Sequence, residues 1–309
     1  MMKNPGHRIL ADKQIISNNT WITGLNNNDV IIGPSGCGKT RGYVKPNILQ
    51  LNGSMIITDT KGALCHELGG TLKRHGYRVM EVNLAEPMAS GWGYNPLAHI
   101  RYDESRQCYN EQDILTLCAA LAPIESNEPF WDFAARTMLE GIVSYILEYL
   151  PNNEHNLCTA VTLLGEMSSG RYDRLLREAC ETAPDSFTAQ RYKMTQTCRS
   201  AEKMYASIQG ILAEKLSPFS FSGTAALFGS TKQISFRTLA AEKAAIFLTI
   251  SDTDPANYRL ANLFYTQALH ELCYIADHSR GHRLNVPVHS IWTTSPPTSV
   301  SRTLTASSR

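Results

Sequence analysis

The stretch GPSGCGKT, from Gly33 to Thr40, has the residue types and the spacing that phosphate binding requires. It matches the pattern G-x-x-x-x-G-K-[ST] in full. Glycines let successive backbone N–H groups turn inward around an anion, and the N-terminus of a following helix adds positive potential. We therefore expect Lys39 to reach the β- and γ-phosphates of a nucleotide and the Thr40 hydroxyl to bind Mg²⁺.

The elements around this loop are those that the motif needs. Asp29-Val30-Ile31-Ile32 is short and apolar and predicts a strand before the loop, and a helix is expected after it. The alternative is a glycine turn that matches the pattern by chance. The residues of the loop that we expect to contact ATP are Gly33, Ser35, Gly36, Cys37, Gly38, Lys39 and Thr40, with Thr40 also the expected ligand of Mg²⁺.

Two further strands and a helix follow the loop. Met55 to Thr58 is apolar or β-branched, a helix is expected through about Arg74, and YRVMEVNL after Gly76 predicts the next strand. Strand, helix and strand in this alternation, at these lengths, indicate a parallel, doubly wound sheet.

Asp59-Thr60-Lys61-Gly62 ends the second of these predicted strands. Open α/β sheets bind ligands at the carboxyl ends of their strands. Asp59 and Lys61 are therefore candidate nucleotide ligands. The alternative is a plain strand-to-helix turn in which Asp59 caps the helix, and position alone does not decide between the two.

The middle of the chain, from Pro96 to about Pro218, contains no predicted strand and has helical periodicity. We expect PFW at 129–131 to anchor the start of its most apolar helix, and a further helical group to extend from about Ser186 to Leu216. The apolar face of the first helix consists of Ala135, Met138, Leu139, Ile142, Val143, Ile146, Leu147 and Leu150. The basic residues of the later helical group, which we interpret as a solvated face, are Arg191, Lys193, Arg199, Lys203 and Lys215.

The alternation of strands and helices resumes after this region. Ala245 to Ile250 predicts a buried strand, a long helix capped by Asp254 follows, and VPVHSI begins another strand. The predicted fold is α/β with a doubly wound, mostly parallel sheet and an all-helical insertion domain. The predicted domains are 1–95 for the first part of the sheet, 96–218 for the insertion, 219–289 for the return to the sheet and 290–309 for a Ser/Thr/Pro-rich tail.

Composition is that of a folded chain. Of its 309 residues 43% are hydrophobic and 18% charged, and the net charge of +1 requires any DNA contact to come from a local patch or from assembly. The eight cysteines form no Cys-x-x-Cys pair and are expected to be reduced and mostly buried. No signal peptide and no apolar run of about 20 residues is found, so a cytoplasmic location is expected.

Four segments together resemble the conjugative coupling proteins, which are the TraG/TraD-like ATPases of type IV secretion systems, in the form found on Gram-positive mobile elements. The resemblance extends from about Ile31 to Val288, with the motifs in the family's order. The phosphate loop is shared by many ATPases, whereas its combination with the other three segments is selective. The segments are GPSGCGKTRGYVKPNILQ, SMIITDTKGAL, EPFWDFAARTMLEGIVSYI and AAIFLTISDTDPANYRLANLFYTQALHELC.

The resemblance implies a RecA-like P-loop NTPase that uses ATP and Mg²⁺. Such motors assemble as homo-hexamers, recruit single-stranded DNA bound to a relaxase and drive it to type IV secretion channel proteins. Many members begin with transmembrane helices and this sequence shows none, so recruitment to the inner face of the cell membrane would need partners. The residues that carry over are Gly36, Gly38, Lys39 and Thr40 as nucleotide ligands and Asp59 and Lys61 as the second-strand motif.

The sequence departs from the family's pattern near its end. A later strand of the family closes in Asp-Asp or Asp-Glu, which binds Mg²⁺ and polarises water, whereas this chain has Thr293-Thr294 there. Reading the codons of Ile291-Trp292-Thr293 one base earlier forces an Asp and permits a second. We expect that one base was lost near Ser290 and that no catalytic residue remains in this chain. The alternative is a natural Ser/Thr-rich tail.

Three functional hypotheses remain open. The first is a coupling-protein ATPase that, in this truncated form, binds ATP without hydrolysing it. The second is a non-hydrolysing nucleotide-binding or interaction module, or a pseudogene product. The third is a small-molecule P-loop kinase, which the large helical insertion and the absence of a lid-like arginine cluster disfavour. Relaxase and secretion-channel genes nearby would favour the first two.

Overall fold

The computed structural model describes residues 6–60, 62–167, 169–199, 201–251 and 258–293. The strands are β1 (His7–Ala11), β2 (Gln14–Ser17), β3 (Ser54–Asp59), β4 (Arg78–Asn83), β5 (Tyr102–Asp103), β6 (Cys108–Tyr109), β7 (Ala244–Thr249) and β8 (Val288–Ile291). The α-helices are α1 (Thr20–Thr23), α2 (Lys45–Ile48), α3 (Ala63–Arg74), α4 (Glu111–Leu121), α5 (Pro129–Tyr149), α6 (Leu157–Gly165), α7 (Arg171–Thr182), α8 (Phe187–Gln196), α9 (Glu202–Leu216), α10 (Ser222–Phe228), α11 (Phe236–Ala241) and α12 (Tyr258–Asp277). A π-helix, Thr40–Val44, directly precedes α2, and short 3-10 helices are Pro87–Ala89, Pro96–His99, Asn152–Glu154 and Ser217–Phe219.

The central sheet has four parallel strands in the order β4-β7-β3-β8. Every residue of β3 and β7 is buried, as is usual for parallel strands that are covered on both faces. The helix α3 connects β3 to β4, as the alternation in the sequence predicted. The predicted α/β class with a parallel sheet is therefore confirmed.

The predicted strand from Asp29 to Ile32 is wrong. Val30 and Ile32 are 83% and 92% exposed, and the segment belongs to no strand. A strand persists only where its backbone groups find a ladder partner. One edge of β3 is occupied by β7 and the other by β8, so neither edge of this buried strand is open to the segment.

The chain divides into two compact units. The first comprises 1–85, 235–254 and 268–309, and the second comprises 86–234 and 255–267. A hydrophobic cluster in the first unit joins the sheet to the helices that follow the loop and β3, and its buried members are Val44, Ile48, Met55, Ile57, Leu64, Leu68, Leu72, Tyr77, Ala245 and Phe247. The predicted insertion, 96–218, falls within the second unit, and its bounds stay a prediction.

The helix α5 is central to the second unit and packs against α4, α6, α7, α8 and α9. Its predicted apolar face is buried from Ala135 to Leu147. The helical group predicted from about Ser186 to Leu216 consists of two helices, α8 and α9. The expectation of no strand in 96–218 is wrong at one place, where β5 and β6 form a two-residue antiparallel pair.

An ion pair, not an aromatic cluster, anchors the start of α5. Within PFW, Pro129 and Phe130 are exposed and Trp131 is only partly buried, so the predicted hydrophobic anchor is wrong. Asp132 is 3% exposed, and its Oδ1 lies 3.1 Å from Nζ of Lys215, which is equally buried. Two backbone N–H groups of the preceding loop donate to Oδ2 of Asp132 at 2.8 and 2.9 Å. The buried charges are thus paired and hydrogen-bonded, as their burial requires.

The basic residues that were expected to share a solvated face have different surroundings. Lys215 is buried, Arg191 pairs with Glu140, and Arg199 pairs with Asp173. The expectation is therefore wrong for Lys215, whose ammonium group pairs with the buried Asp132 carboxylate.

All eight cysteines are unpaired thiols, as expected. The expectation that most are buried is wrong, since Cys118 alone is buried and the others are partly or fully exposed. Across the described ranges, no helix combines the length and the apolar character that crossing a bilayer would take. The predicted helix cap Asp254 lies outside the described residues.

The buried pair leads to a prediction about stability. Asp132→Ala should destabilise the full chain by about 3–5 kcal/mol, because it leaves the buried Lys215 ammonium with only the exposed Glu125 carboxylate, 3.3 Å away, as its counter-charge. The control is Arg106→Ala, whose side chain is 80% exposed and whose ion pair with Asp103 is screened by solvent, so its loss should change the stability much less. Urea unfolding of both variants checks this, and equal effects would contradict it.

The same pair gives the stability a pH dependence. Desolvation raises the pKa of Asp132, but hydrogen bonds from the backbone N–H groups of Ser126 and Glu125 and from Lys215 outweigh it and hold the pKa well below its usual range. A depressed pKa stabilises the fold above the ordinary Asp value of about 4, and that stability is lost as the pH falls below it. As the pH falls below about 4, the free energy of unfolding should therefore decrease less in Asp132→Ala than in the parent chain.

Candidate nucleotide site

The loop from Gly33 to Thr40 is largely exposed and leads directly into the π-helix. Gly36 and Gly38 have φ angles of 80° and 87°, in the left-handed region. A Cβ at either position would meet nothing within 4 Å. The backbone conformation, and not crowding, is therefore what favours glycine at these two positions.

The Lys39 side chain folds back over the loop. Its Nζ donates to the carbonyl oxygens of Gly33 at 2.6 Å and Pro34 at 2.9 Å, and lies 3.7 Å from Sγ of Cys37. Lysine has three donors and no acceptor, so it can exchange these carbonyl partners for phosphate oxygens. Sγ of Cys37 also lies 2.6 Å from the position that a Cβ on Gly33 would occupy, so a side chain there would require the exposed Cys37 side chain to rotate.

The loop presents groups that fit a phosphate. The backbone N–H groups of Gly36 and Gly38 make no hydrogen bond within the described part of the chain. Ser35 and Thr40 are exposed, and Thr40 is the first residue of the π-helix. Unpaired N–H donors, an ammonium group and a hydroxyl are the ligand types that a nucleotide phosphate and its Mg²⁺ need. The described residues contain no cluster of three His, Cys, Asp or Glu side chains that could hold a metal.

The carboxyl edge of the central sheet carries a row of polar residues. Asn83 pairs with Thr249, and Thr249 pairs with Asp59. The Thr249 hydroxyl oxygen is buried and has no hydrogen-bond partner among the described residues. Polar side chains are thus aligned where such sheets bind their ligands.

The strand β8 brings a threonine to the same edge. It pairs Ile291 with Ile57, so two residues further on Thr293 stands level with Asp59. The hydroxyl of Thr293 donates to the carbonyl oxygen of Thr58 at 2.9 Å. Thr293 is the residue found where the family resemblance implies a carboxylate, and it lies at the carboxyl edge of the sheet. Thr294 lies outside the described residues.

Asp59 acts as a helix cap. Its Oδ2 accepts from the backbone N–H groups of Leu64 at 2.7 Å and Cys65 at 3.1 Å, at the start of α3. Burial and the charge of Glu81 raise the pKa of the Cys65 thiol to about 12, so the thiol adds no charge here. The capping alternative from the sequence is present in the geometry, and the ligand role of Asp59 stays a prediction. Lys61, the other candidate at this turn, lies outside the described residues.

Two side chains outside the motif bracket the loop. The Tyr43 hydroxyl donates to Oδ2 of Asp29 at 2.9 Å, which links the segment before the loop to the π-helix after it. The motif does not include either residue, and nothing in their spacing predicts the contact.

Residues 6–286 match the family model described as type IV secretory system conjugative DNA transfer. The chain is also 28% identical over 141 residues to the conjugal transfer protein TraG of Escherichia coli. That stretch covers 45% of this chain and 22% of TraG, so the chain spans only a part of the length of this relative.

Among solved structures, the chain is similar to conjugative coupling protein TrwB. An unbound monoclinic form of TrwB lacking N-terminal residues is 15% identical, with a TM-score of 0.44 and coverage of 83% of this chain and 67% of that one. TrwB in complex with ADP and Mg²⁺ is 15% identical with a TM-score of 0.41, and covers 97% and 76% of the two chains. TrwB with the GTP analogue GDPNP has 15% identity, a TM-score of 0.43 and coverage of 98% and 78%.

The two roles considered for Asp59 can be separated by substitution. Asp59→Ala should lower the free energy of unfolding by about 1–2 kcal/mol, because the cap of α3 is lost. Asp59→Asn keeps a side-chain oxygen as acceptor and should retain most of that stability. Urea unfolding measures both, and an unchanged stability of Asp59→Ala would contradict the capping role. ATP affinity of Asp59→Asn then tests the ligand role, since a ligand role predicts weaker binding at near-parental stability.

Proposed function

The chain belongs to the family of type IV secretory system proteins for conjugative DNA transfer, and from this premise we propose that it binds ATP with Mg²⁺ at Gly33–Thr40 in the service of that transfer. The observation that carries the proposal is the geometry of the loop. Two glycines in the left-handed region, their unpaired N–H groups and the Lys39 ammonium occur together in a fully matched phosphate motif.

Different residues of the loop would bind different parts of the nucleotide and its Mg²⁺. Backbone N–H groups from Gly36 and Gly38 donate to phosphate oxygens, and Lys39 adds a charge-assisted contact. The Thr40 hydroxyl holds Mg²⁺, which when bound neutralises phosphate charge. Ser35 and Cys37 border the phosphates, and Asp59 and Lys61 contribute from the sheet edge.

We further propose that the chain as written binds ATP without turning it over. Hydrolysis needs a carboxylate at the strand end to complete the Mg²⁺ site and a group that orients the attacking water. Thr293 stands level with Asp59 at that edge, and a hydroxyl cannot supply a carboxylate's charge. Asp59 is engaged with the first turn of α3, which supports the same conclusion.

The partners are carried over from the family. In conjugative transfer the chain would act with single-stranded DNA, a relaxase and type IV secretion channel proteins, as a homo-hexamer in its intact form. It would reach the inner face of the cell membrane through those partners. Support comes from the family match and from the likeness to a conjugal transfer protein.

A non-hydrolysing interaction module is the second candidate, and Thr293 at the sheet edge is the observation that favours it. In that case nucleotide binding would order the loop and the chain would act as a binding partner of the transfer machinery. Neither candidate predicts turnover by this chain itself. They differ in the frame-restored protein described below, which should hydrolyse ATP only under the first candidate.

Nucleotide binding is tested by charge removal at the loop. Lys39→Ala should weaken ATP binding at least about tenfold, because a hydrogen bond to a charged group is lost. The matched control is Lys45→Ala, which removes a lysine at the start of α2 that pairs with Glu67 in α3. Isothermal titration calorimetry measures both affinities, and parental affinity of Lys39→Ala would show the loop assignment to be wrong.

Hydrolysis is tested by restoring the reading frame. Purified 1–309 should release phosphate from ATP only at background rate, whereas the product of the frame-restored gene should regain an Asp-Asp pair and DNA-stimulated turnover. Equal turnover of the two proteins would refute the binding-only state.

A further inference from the structure

The ends of the phosphate loop are tied to each other by side chains. Asp29 precedes Gly33, and Tyr43 lies in the π-helix that begins at Thr40. The Tyr43 hydroxyl donates to Oδ2 of Asp29 at 2.9 Å, so one hydrogen bond closes the base of the loop.

Arg8 holds the shared carboxylate in place. Its Nε donates to the same Oδ2 of Asp29 at 2.6 Å, and the two side chains are 11% and 14% exposed. Its Nη1 donates to the side-chain oxygens of Asn18 at 2.9 Å and Asn27 at 2.5 Å. A charge-assisted bond in a partly buried position is stronger than a neutral one, so the carboxylate is fixed by both its partners.

The helix side of this arrangement is braced against the hairpin β1–β2. The side-chain amide of Asn47 donates to the carbonyl oxygens of Ile9 and Tyr43 at 2.8 Å each, and its oxygen accepts from the Ile9 N–H at 2.9 Å. Gln50 donates to the carbonyl oxygen of His7 at 3.0 Å. The helix face that carries Tyr43 is therefore joined to the hairpin that carries Arg8.

The central sheet does not fix the position of the chain where it enters the phosphate loop. Residues 29–32 form no strand, and Val30 and Ile32 are exposed, so no ladder of backbone bonds fixes the entry to the loop. Burial, with the hydrogen bond to Asp29 and its charge, raises the pKa of Tyr43, which keeps the hydroxyl protonated and able to donate.

We propose that Asp29, Tyr43 and Arg8 form a clasp that positions the phosphate loop for the nucleotide. Asp29 and Tyr43 are positioning residues that act through the loop backbone, and Arg8 orients Asp29. Without the clasp, the loop samples conformations in which the N–H groups of Gly36 and Gly38 do not point toward the same phosphate. The apparent affinity for the nucleotide then decreases in proportion to the fraction of molecules whose loop has the binding conformation. The proposal rests on the proposed nucleotide binding.

The test compares two tyrosines in the full chain. Tyr43→Phe removes the clasp hydroxyl, and Tyr77→Phe removes a hydroxyl that donates to the Gly53 carbonyl at 2.8 Å in the same unit. Affinity for a fluorescent ATP analogue should fall about threefold to tenfold in Tyr43→Phe, the usual effect of losing one hydrogen bond, and stay parental in Tyr77→Phe. Parental affinity in Tyr43→Phe, or equal losses in both variants, would overturn the clasp.

Substitutions of the shared carboxylate separate positioning from general destabilisation. Asp29→Asn keeps an acceptor and should bind the analogue more tightly than Asp29→Ala. Adding Tyr43→Phe to Asp29→Ala should cause no further loss, because both changes break the same bond. Independent, additive losses would overturn the proposal.

A measurement without nucleotide keeps the clasp testable if ATP binding itself fails. Amide hydrogen exchange over 33–40 should be faster in Tyr43→Phe than in the parent and unchanged in Tyr77→Phe. If the parent binds no nucleotide, the proposed function is wrong, and the exchange comparison still decides whether the clasp holds the loop. Unchanged exchange in Tyr43→Phe would overturn it.

Discussion

The pairing of β3 with β7 on one side and β8 on the other is the constraint on which the first unit depends. Its register is fixed at the amino end of the sheet. Ser54 donates its hydroxyl to the Glu242 carbonyl and accepts from the Ala244 N–H, while its own N–H donates to Pro287. A Cβ at Gly53, the residue before β3, would collide with the Pro287 carbonyl oxygen, so glycine is needed for β3 and β8 to begin this close together. These contacts fix where β3 begins relative to β7 and β8.

In the second unit, charged side chains join the ends of several helices. Nζ of Lys215, at the end of α9, pairs with Asp132 at the start of α5. It also donates to the carbonyl oxygen of Pro123, in the loop before α5. Arg259 in α12 adds hydrogen bonds to the Lys215 carbonyl and to Glu125. Such a network contributes little net stability relative to an apolar core, but removing Asp132 costs Lys215 its buried partner, and removing Lys215 leaves the buried Asp132 carboxylate without its cation.

Local patterns in the sequence were enough to predict the loop, the buried strands and α3, because each depends on neighbours along the chain. The strand from Asp29 to Ile32 could not be excluded that way, since whether an apolar segment becomes a strand depends on which sheet edge is open. The clasp and the Lys215 pair were missed for the same reason. Arg8 meets Asp29, and Lys215 meets Asp132, only after distant segments have folded. Periodicity reports which face of a helix is apolar, not where a single charge finds its partner.

The proposed binding of a nucleotide and its hydrolysis place different requirements on the chain. The proposed binding uses a short continuous stretch whose glycines, lysine and hydroxyl lie between Asp29 and Tyr43. Hydrolysis also depends on what the sheet brings to its carboxyl edge, and there the register of β8 delivers Thr293 beside Thr58. The backbone of β8 pairs correctly whatever side chain follows it, because parallel pairing uses main-chain groups alone. A change of residue after Ile291 can therefore remove a carboxylate from the edge while leaving the sheet and the loop unaltered.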